Sequence, residues 1–178
     1  MACGATVVFM EGAPDWPHDR VWRIVQDERV TMLGVSPTLV RALIPHGEPD
    51  ADLSSLRAVV TTGEPWNRGP YDWLDEHVCG RGRIPIVNCS GGTEVGACFL
   101  SVSMLEPTKP CSVGFPALGE DMDVFDDAGK PVREEPDRVG GLVIVERRGG
   151  APGEGIEERL GIEGHRGALE EPLREPGE

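Results

Sequence analysis

Short apolar runs alternate with amphipathic stretches through the first two-thirds of the chain. Residues 5–10 form an apolar, β-branched run, and residues 30–35, 56–60 and 85–88 repeat that character. Each reads as a buried strand. Between the first two, residues 18–28 place Val21, Trp22, Ile24 and Val25 on one face of a predicted helix. Ser36 followed by Pro37 marks another helix start: a hydroxyl cap, then a proline whose missing N–H costs nothing there. That helix is expected to stop near Pro45 and Gly47. Residues 67–79 set Tyr71, Leu74 and Val78 at helical spacing, with Gly80 as the stop signal.

Strands alternating with helices predict an α/β fold, with a mainly parallel sheet flanked by helices. Ligands in such sheets sit beyond the carboxyl ends of the strands. Two polar loops, after Val60 and after Val87, fall at such ends. The pattern changes beyond Ser101. Residues 122–125 alternate, residues 126–130 read as a turn, and residues 141–145 are apolar again. A small antiparallel β unit is therefore expected after the α/β body. From Arg147 onward the chain is rich in Gly, Glu, Arg and Pro, and it is expected to be mobile. The predicted division is a partial α/β subdomain over 1–103, a β-rich piece over 104–146, and a tail over 147–178.

Composition narrows the function. With 178 residues and 39% hydrophobic content the chain can bury a core. A net charge of -14 argues against non-specific binding to nucleic acid or to an anionic membrane, which needs Lys and Arg. It leaves open a nucleotide site built from backbone amides and a metal ion. No apolar run approaches a membrane span, and the start lacks a signal-peptide pattern, so the cytoplasm is expected. The five cysteines show no CxxC spacing and read as reduced, buried thiols. Trp16, Trp22, Trp66 and Trp73 read as packing residues. The four histidines are dispersed, without zinc-ligand spacing. The acidic residues between 121 and 127 fit a solvated hairpin better than a calcium loop.

Two loops carry the chemistry. In residues 88–96 a strand runs through Ser90, Gly91 and Gly92 to Thr93 and Glu94. The glycines let main chain approach a flat ligand closely. Thr93 can donate to a phosphate oxygen, and Glu94 can hold a Mg²⁺ ion that screens phosphate charge. Alone, the same residues read rather as an ordinary strand-to-helix turn with Thr93 or Glu94 near a cap. Residues 61–67 contain Gly63, Glu64 and Pro65, which alone read as a stiffened turn. The two loops matter together, because adjacent parallel strands would place them side by side.

The ordered series resembles the adenylate-forming acyl-CoA synthetases over residues 4–146. It comprises Gly4 to Val8, Glu11 to Pro14, Ser36-Pro37-Thr38, Leu53 to Arg57, Thr62 to Pro65 and Gly92-Thr93-Glu94. Ser112 to Pro116 and Val124 to Pro131 resemble the family's next stretch, and the acetyl-CoA and acetoacetyl-CoA synthetase-like branch is the most similar. The resemblance implies an acid–thiol ligase. A carboxylic acid attacks the α-phosphate of Mg·ATP, giving acyl-AMP and pyrophosphate, and coenzyme A then displaces AMP. It assigns Gly63, Glu64 and Pro65 to the adenine site. Ser90, Gly91 and Gly92 would lie along adenine and the acyl carboxylate, Thr93 at the α-phosphate and Glu94 at Mg²⁺.

Departures from that pattern qualify the assignment. Ser90 stands where many relatives carry an aromatic residue that packs on adenine. Gly91 stands where acetate-specific relatives carry a Trp that closes the acyl pocket, which suggests room for a longer acid. The Lys-bearing phosphate loop, the ribose-binding Gly-Asp, the hinge and the C-terminal domain are not recognised in this sequence. The chain is therefore expected to be a ligase fragment, inactive without the missing remainder of the ligase. A non-catalytic nucleotide-binding or scaffold remnant, and a flavodoxin-like regulatory domain, are the competing readings.

Overall fold

The computed structural model describes residues 4–92, 96–103, 105, 107, 109–120, 122–126, 128–132, 141–145 and 159–161. The chain divides into two compact units, Met1–Leu118 and Gly119–Glu178.

The first unit is α/β. Helix α1 (Arg20–Asp27) buries Val21, Trp22 and Val25, the predicted face, with Ile24 half-buried. Strand β1 (Met32–Val35) feeds helix α2 (Pro37–Leu43), which buries Pro37, Val40 and Leu43. The Ser36 hydroxyl oxygen accepts a hydrogen bond from the Leu39 amide at 3.1 Å, as the cap motif requires. Strand β2 (Ala58–Thr61) is central and covered on both faces, and Val59 and Thr61 are almost fully buried. Helix α3 (Arg68–His77) buries Tyr71 and Leu74, and Val78 follows them into the core. Helix α2 packs against α3. Gly80, at φ +66°, ends that stretch.

Strand β3 (Ile86–Gly92) has two partners. Its first half pairs in parallel with β2, which itself pairs in parallel with β1. Its second half pairs antiparallel with β4 (Ala97–Ser101), and β4 pairs with the short β5 (Phe115–Pro116). The five-stranded order is β1-β2-β3-β4-β5. The parallel part carries the helices, and the antiparallel part is a hairpin extension.

The second unit is an antiparallel sheet of β6 (Met122–Phe125), β7 (Gly141–Val145) and β8 (Arg159–Gly161), with β7 in the middle. The turn after β6 is held by Asp126. Its carboxylate accepts from the amides of Ala128 and Lys130 at 3.0 and 2.8 Å.

Several expectations are corrected. Residues 5–10 form no strand, and Val7, Val8 and Phe9 are exposed, Phe9 by 84%. An apolar run becomes a strand only where a neighbour takes its hydrogen bonds, and no described strand pairs with this one. Trp16 is exposed, whereas Trp22 and Trp66 are buried. The division into compact units falls between Leu118 and Gly119. Residues 109–118 return to the first sheet through β5 and through the Asn88 side chain, which donates to the Ser112 carbonyl at 3.0 Å. Within the stretch expected to be a tail, residues 159–161 pair with β7.

Candidate functional site

Strand β2 ends at Thr61, opposite Asn88 in parallel register, while β3 runs on beside it to Gly92. The loop leaving β2 begins at Thr62. Gly63 adopts φ +101°, a conformation that side-chain-bearing residues rarely hold, although open space surrounds it. Gly63 and Pro65 are exposed, and Glu64 between them is half-buried.

The Glu64 carboxylate points back to α2. Its Oε1 accepts from the Thr38 amide at 2.9 Å and from the Thr38 hydroxyl. Its Oε2 accepts from Arg41 Nη2, which also donates to the Thr38 hydroxyl oxygen at 2.7 Å. The Thr38 hydrogen bonds, then Arg41, hold the Glu64 carboxyl below its ordinary range. Two residues further on, Trp66 turns into the core. Its indole N–H donates to the Thr61 hydroxyl oxygen at 3.1 Å, and its ring meets Tyr71 edge-on at 5.7 Å.

The second strip lies within β3 itself. Asn88 and Cys89 are buried, Ser90 and Gly92 half-buried, and Gly91 exposed. Ser90 pairs with Leu100, Gly91 with Cys98 and Gly92 with Ala97, with a register irregularity between Ser90 and Gly91. The chain therefore folds back as a strand after this segment, not as a helix. A Cβ on Gly91 would lie 2.4 Å from the Ala97 carbonyl oxygen and 3.0 Å from the Cys98 Cα. Main chain of β4 fills the space a side chain would take, so this arrangement lends no support to a vacated acyl pocket at Gly91. Thr93 and Glu94, expected at the phosphate and the metal, lie outside the described residues. Among the described residues no cluster of three or more His, Cys, Asp or Glu side chains is placed to hold a metal.

The two strips meet at Thr62 and Cys89. The Cys89 thiol has Thr62 and Cys98 as polar neighbours, and burial raises its pKa, so it is a poor nucleophile. Gly63, Glu64 and Pro65 thus share one end of the sheet with Ser90, Gly91 and Gly92. Asn88 and Arg41 were not singled out from the sequence, and Thr38 entered only as part of a motif. A hydroxyl and an arginine three residues apart on a helix start were the available signal for Thr38 and Arg41. Nothing in the order of residues pointed to their partner in a loop more than twenty positions later.

Comparison with known proteins bears on this arrangement. A family model described as AMP-binding enzyme matches residues 1–153. The match runs past residue 146, where the recognisable motifs stop. An acetyl-coenzyme A synthetase of Burkholderia lata is 37% identical over 156 residues, covering 83% of this chain and 23% of that protein. Those of Rubrobacter xylanophilus and Methanothrix soehngenii are 39% and 40% identical over 146 residues. The alignments cover 79% and 80% of this chain, and 22% and 21% of those proteins. The crystal structure of an anthranilate CoA ligase in complex with anthranoyl-AMP superposes with a TM-score of 0.69 at 25% identity, covering 81% of this chain and 27% of that one. The chain thus spans less than a quarter of the length of these curated relatives. No described helix is long and apolar enough to cross a membrane.

Proposed function

Because the chain belongs to the family of AMP-binding enzymes, we propose that it forms part of the adenylate-binding region of an acyl-CoA synthetase-like acid–thiol ligase. The observation that carries this reading is that two strips lie at one end of the sheet. Gly63 to Pro65 leave β2 where the adjacent parallel strand β3 runs on through Ser90 to Gly92, the end at which α/β sheets take ligands. The first strip offers exposed main chain held in place, suited to the edge and face of a base.

The proposed reaction has two steps. A carboxylate oxygen attacks the α-phosphorus of ATP, the bond to the bridging oxygen breaks, and pyrophosphate leaves. The thiol of coenzyme A then attacks the acyl carbon, and AMP departs with the electron pair. Little covalent work falls to the protein, so positioning and charge neutralisation govern the rate. Thr93 is assigned to the α-phosphate by its hydroxyl. Glu94 is a carboxylate, the hard oxygen donor that Mg²⁺ prefers. When bound, Mg²⁺ would neutralise phosphate charge. The acid itself is not assigned.

The 178-residue polypeptide alone is proposed not to complete this reaction, given the share of its relatives that it spans. A non-catalytic nucleotide-binding role is the second reading. Ser90 offers no ring to stack on adenine, so AMP affinity should be weak under either reading. Nuclear magnetic resonance titration with AMP tests the common core of both. Amide shifts confined to residues 62–64, 66 and 90–94 are expected, and shifts elsewhere or none would sink it. Acid-dependent exchange of pyrophosphate into ATP by this polypeptide would overturn the claim of inactivity.

A further inference from the structure

The loop carrying Gly63 and Pro65 is fastened at both ends, and the fastening on the α2 side lies outside the core. Glu64 places both carboxylate oxygens on α2: one on the Thr38 amide and hydroxyl, the other on Arg41. Arg41 closes the triangle through the Thr38 hydroxyl. Helix α2 is itself fixed by the Ser36 cap and the buried Pro37 where β1 ends. The contact therefore ties the loop after β2 to the helix after β1, its parallel neighbour in the sheet. On the other side Trp66 is bound to Thr61 and packed on Tyr71. Gly63 and Pro65 remain exposed beside these anchors.

Stability is a poor explanation for this triangle. The Arg41 and Glu64 side chains are 37% and 32% exposed. Ion pairs in such surroundings add little to folding, because solvent screens them and ordering two long side chains opposes them. What three shared hydrogen bonds do supply is a fixed position for a short loop. Fixing a recognition loop before the ligand arrives removes part of the entropy that binding must otherwise overcome.

We infer that Thr38 and Arg41 are positioning residues for nucleotide binding, acting through the Glu64 carboxylate on the main chain of residues 63–65. Glu64 serves through the place it gives the loop, not through a carboxylate directed at the base. This inference rests on the adenylate reading of the same loop.

The test uses the full chain with AMP as the probe. Arg41→Gln and Thr38→Val are expected to weaken AMP binding by about tenfold, the scale of a small misplacement. The thermal midpoint should shift by no more than ~3 °C, as for an exposed ion pair. Thr38→Ser should restore near-parental affinity, because it keeps the hydroxyl. Glu64→Gln combined with Arg41→Gln should be no worse than the worse single variant, since both break one network. Without nucleotide, Arg41→Gln should speed amide exchange at Gly63, Glu64 and Trp66 while the amides of β2 stay protected. Unaltered exchange in that loop, or unaltered AMP affinity, would overturn the positioning role alone. Failure of the parental chain to bind AMP would instead overturn the nucleotide reading beneath it.

Discussion

Gly91, paired with Cys98 across the β3–β4 hairpin, lies so close to the neighbouring Ala97 that a Cβ on Gly91 would stand 2.4 Å from the Ala97 carbonyl oxygen. That oxygen belongs to main chain and cannot swing aside as a side chain would. The glycine is therefore required by the hairpin whatever else it does. Gly91→Ala is expected to cost about 1–3 kcal/mol, the usual range for an overpacked site. The midpoint of urea unfolding measures it. Gly91→Trp, which restores the residue of acetate-specific relatives, should be worse. A Gly91→Trp chain as stable as the parent would show that the hairpin can open at this point, and the question of acyl room would then reopen.

The Glu64 carboxyl offers a pH readout. Its folded pKa is lowered from 4.5, first by the Thr38 side-chain hydrogen bond and then by Arg41. A depressed carboxyl pKa means the attachment is fully present above the ordinary value and is lost as pH falls through the folded value. The carboxyl carbon resonance of Glu64 should thus titrate with a midpoint below 4.5. In Arg41→Gln the midpoint should rise toward that ordinary value. A parental midpoint at or above it would mean that the triangle does not persist in solution.

The βα alternation was legible because its signals are local. Ser36 and Pro37 announced a helix start, and the spacing of Tyr71, Leu74 and Val78 announced a buried face, and both stand as read. The misreadings share a cause in partners distant along the chain. Residues 5–10 have the composition of a strand, but composition supplies no neighbour. Ser90 to Gly92 looked like the end of a strand because small residues usually close one, yet β4 takes up their pairing. Glu64 was legible as a candidate through the motif around it. The direction of its carboxylate was not, since Thr38 and Arg41 lie more than twenty positions earlier.

The thiols should separate by reactivity. Cys79 is fully buried, and burial pushes its pKa up to about 12. Cys98 is exposed. Alkylation with iodoacetamide near neutral pH is expected to modify Cys98 first among these residues and to leave Cys79 untouched until the chain is unfolded. Peptide mass spectrometry reads the order. Early modification of Cys79 under native conditions would mean that the core around Leu74 opens readily, contrary to its burial.

Asn88 decides how residues 109–118 stay with the first sheet. It is 3% exposed and donates to the Ser112 carbonyl at 3.0 Å, while its own carbonyl accepts from the Val102 amide at 3.1 Å. The side-chain bond can be removed without touching the main-chain one. Asn88→Ala leaves the Ser112 carbonyl without this donor, and losing a partner to a buried polar group costs about 1–3 kcal/mol. Gly114 sharpens the effect. At φ +78° a Cβ there would lie 2.7 Å from the Ser101 carbonyl oxygen, so this segment packs main chain to main chain. Hydrogen exchange at the Ala117 amide, bonded to the Phe99 carbonyl at 2.7 Å, is the direct readout. It should quicken in Asn88→Ala while the amides pairing β1 with β2 keep their protection. If Ala117 exchanges at the parental rate, β5 holds the segment by itself and Asn88 is a bystander.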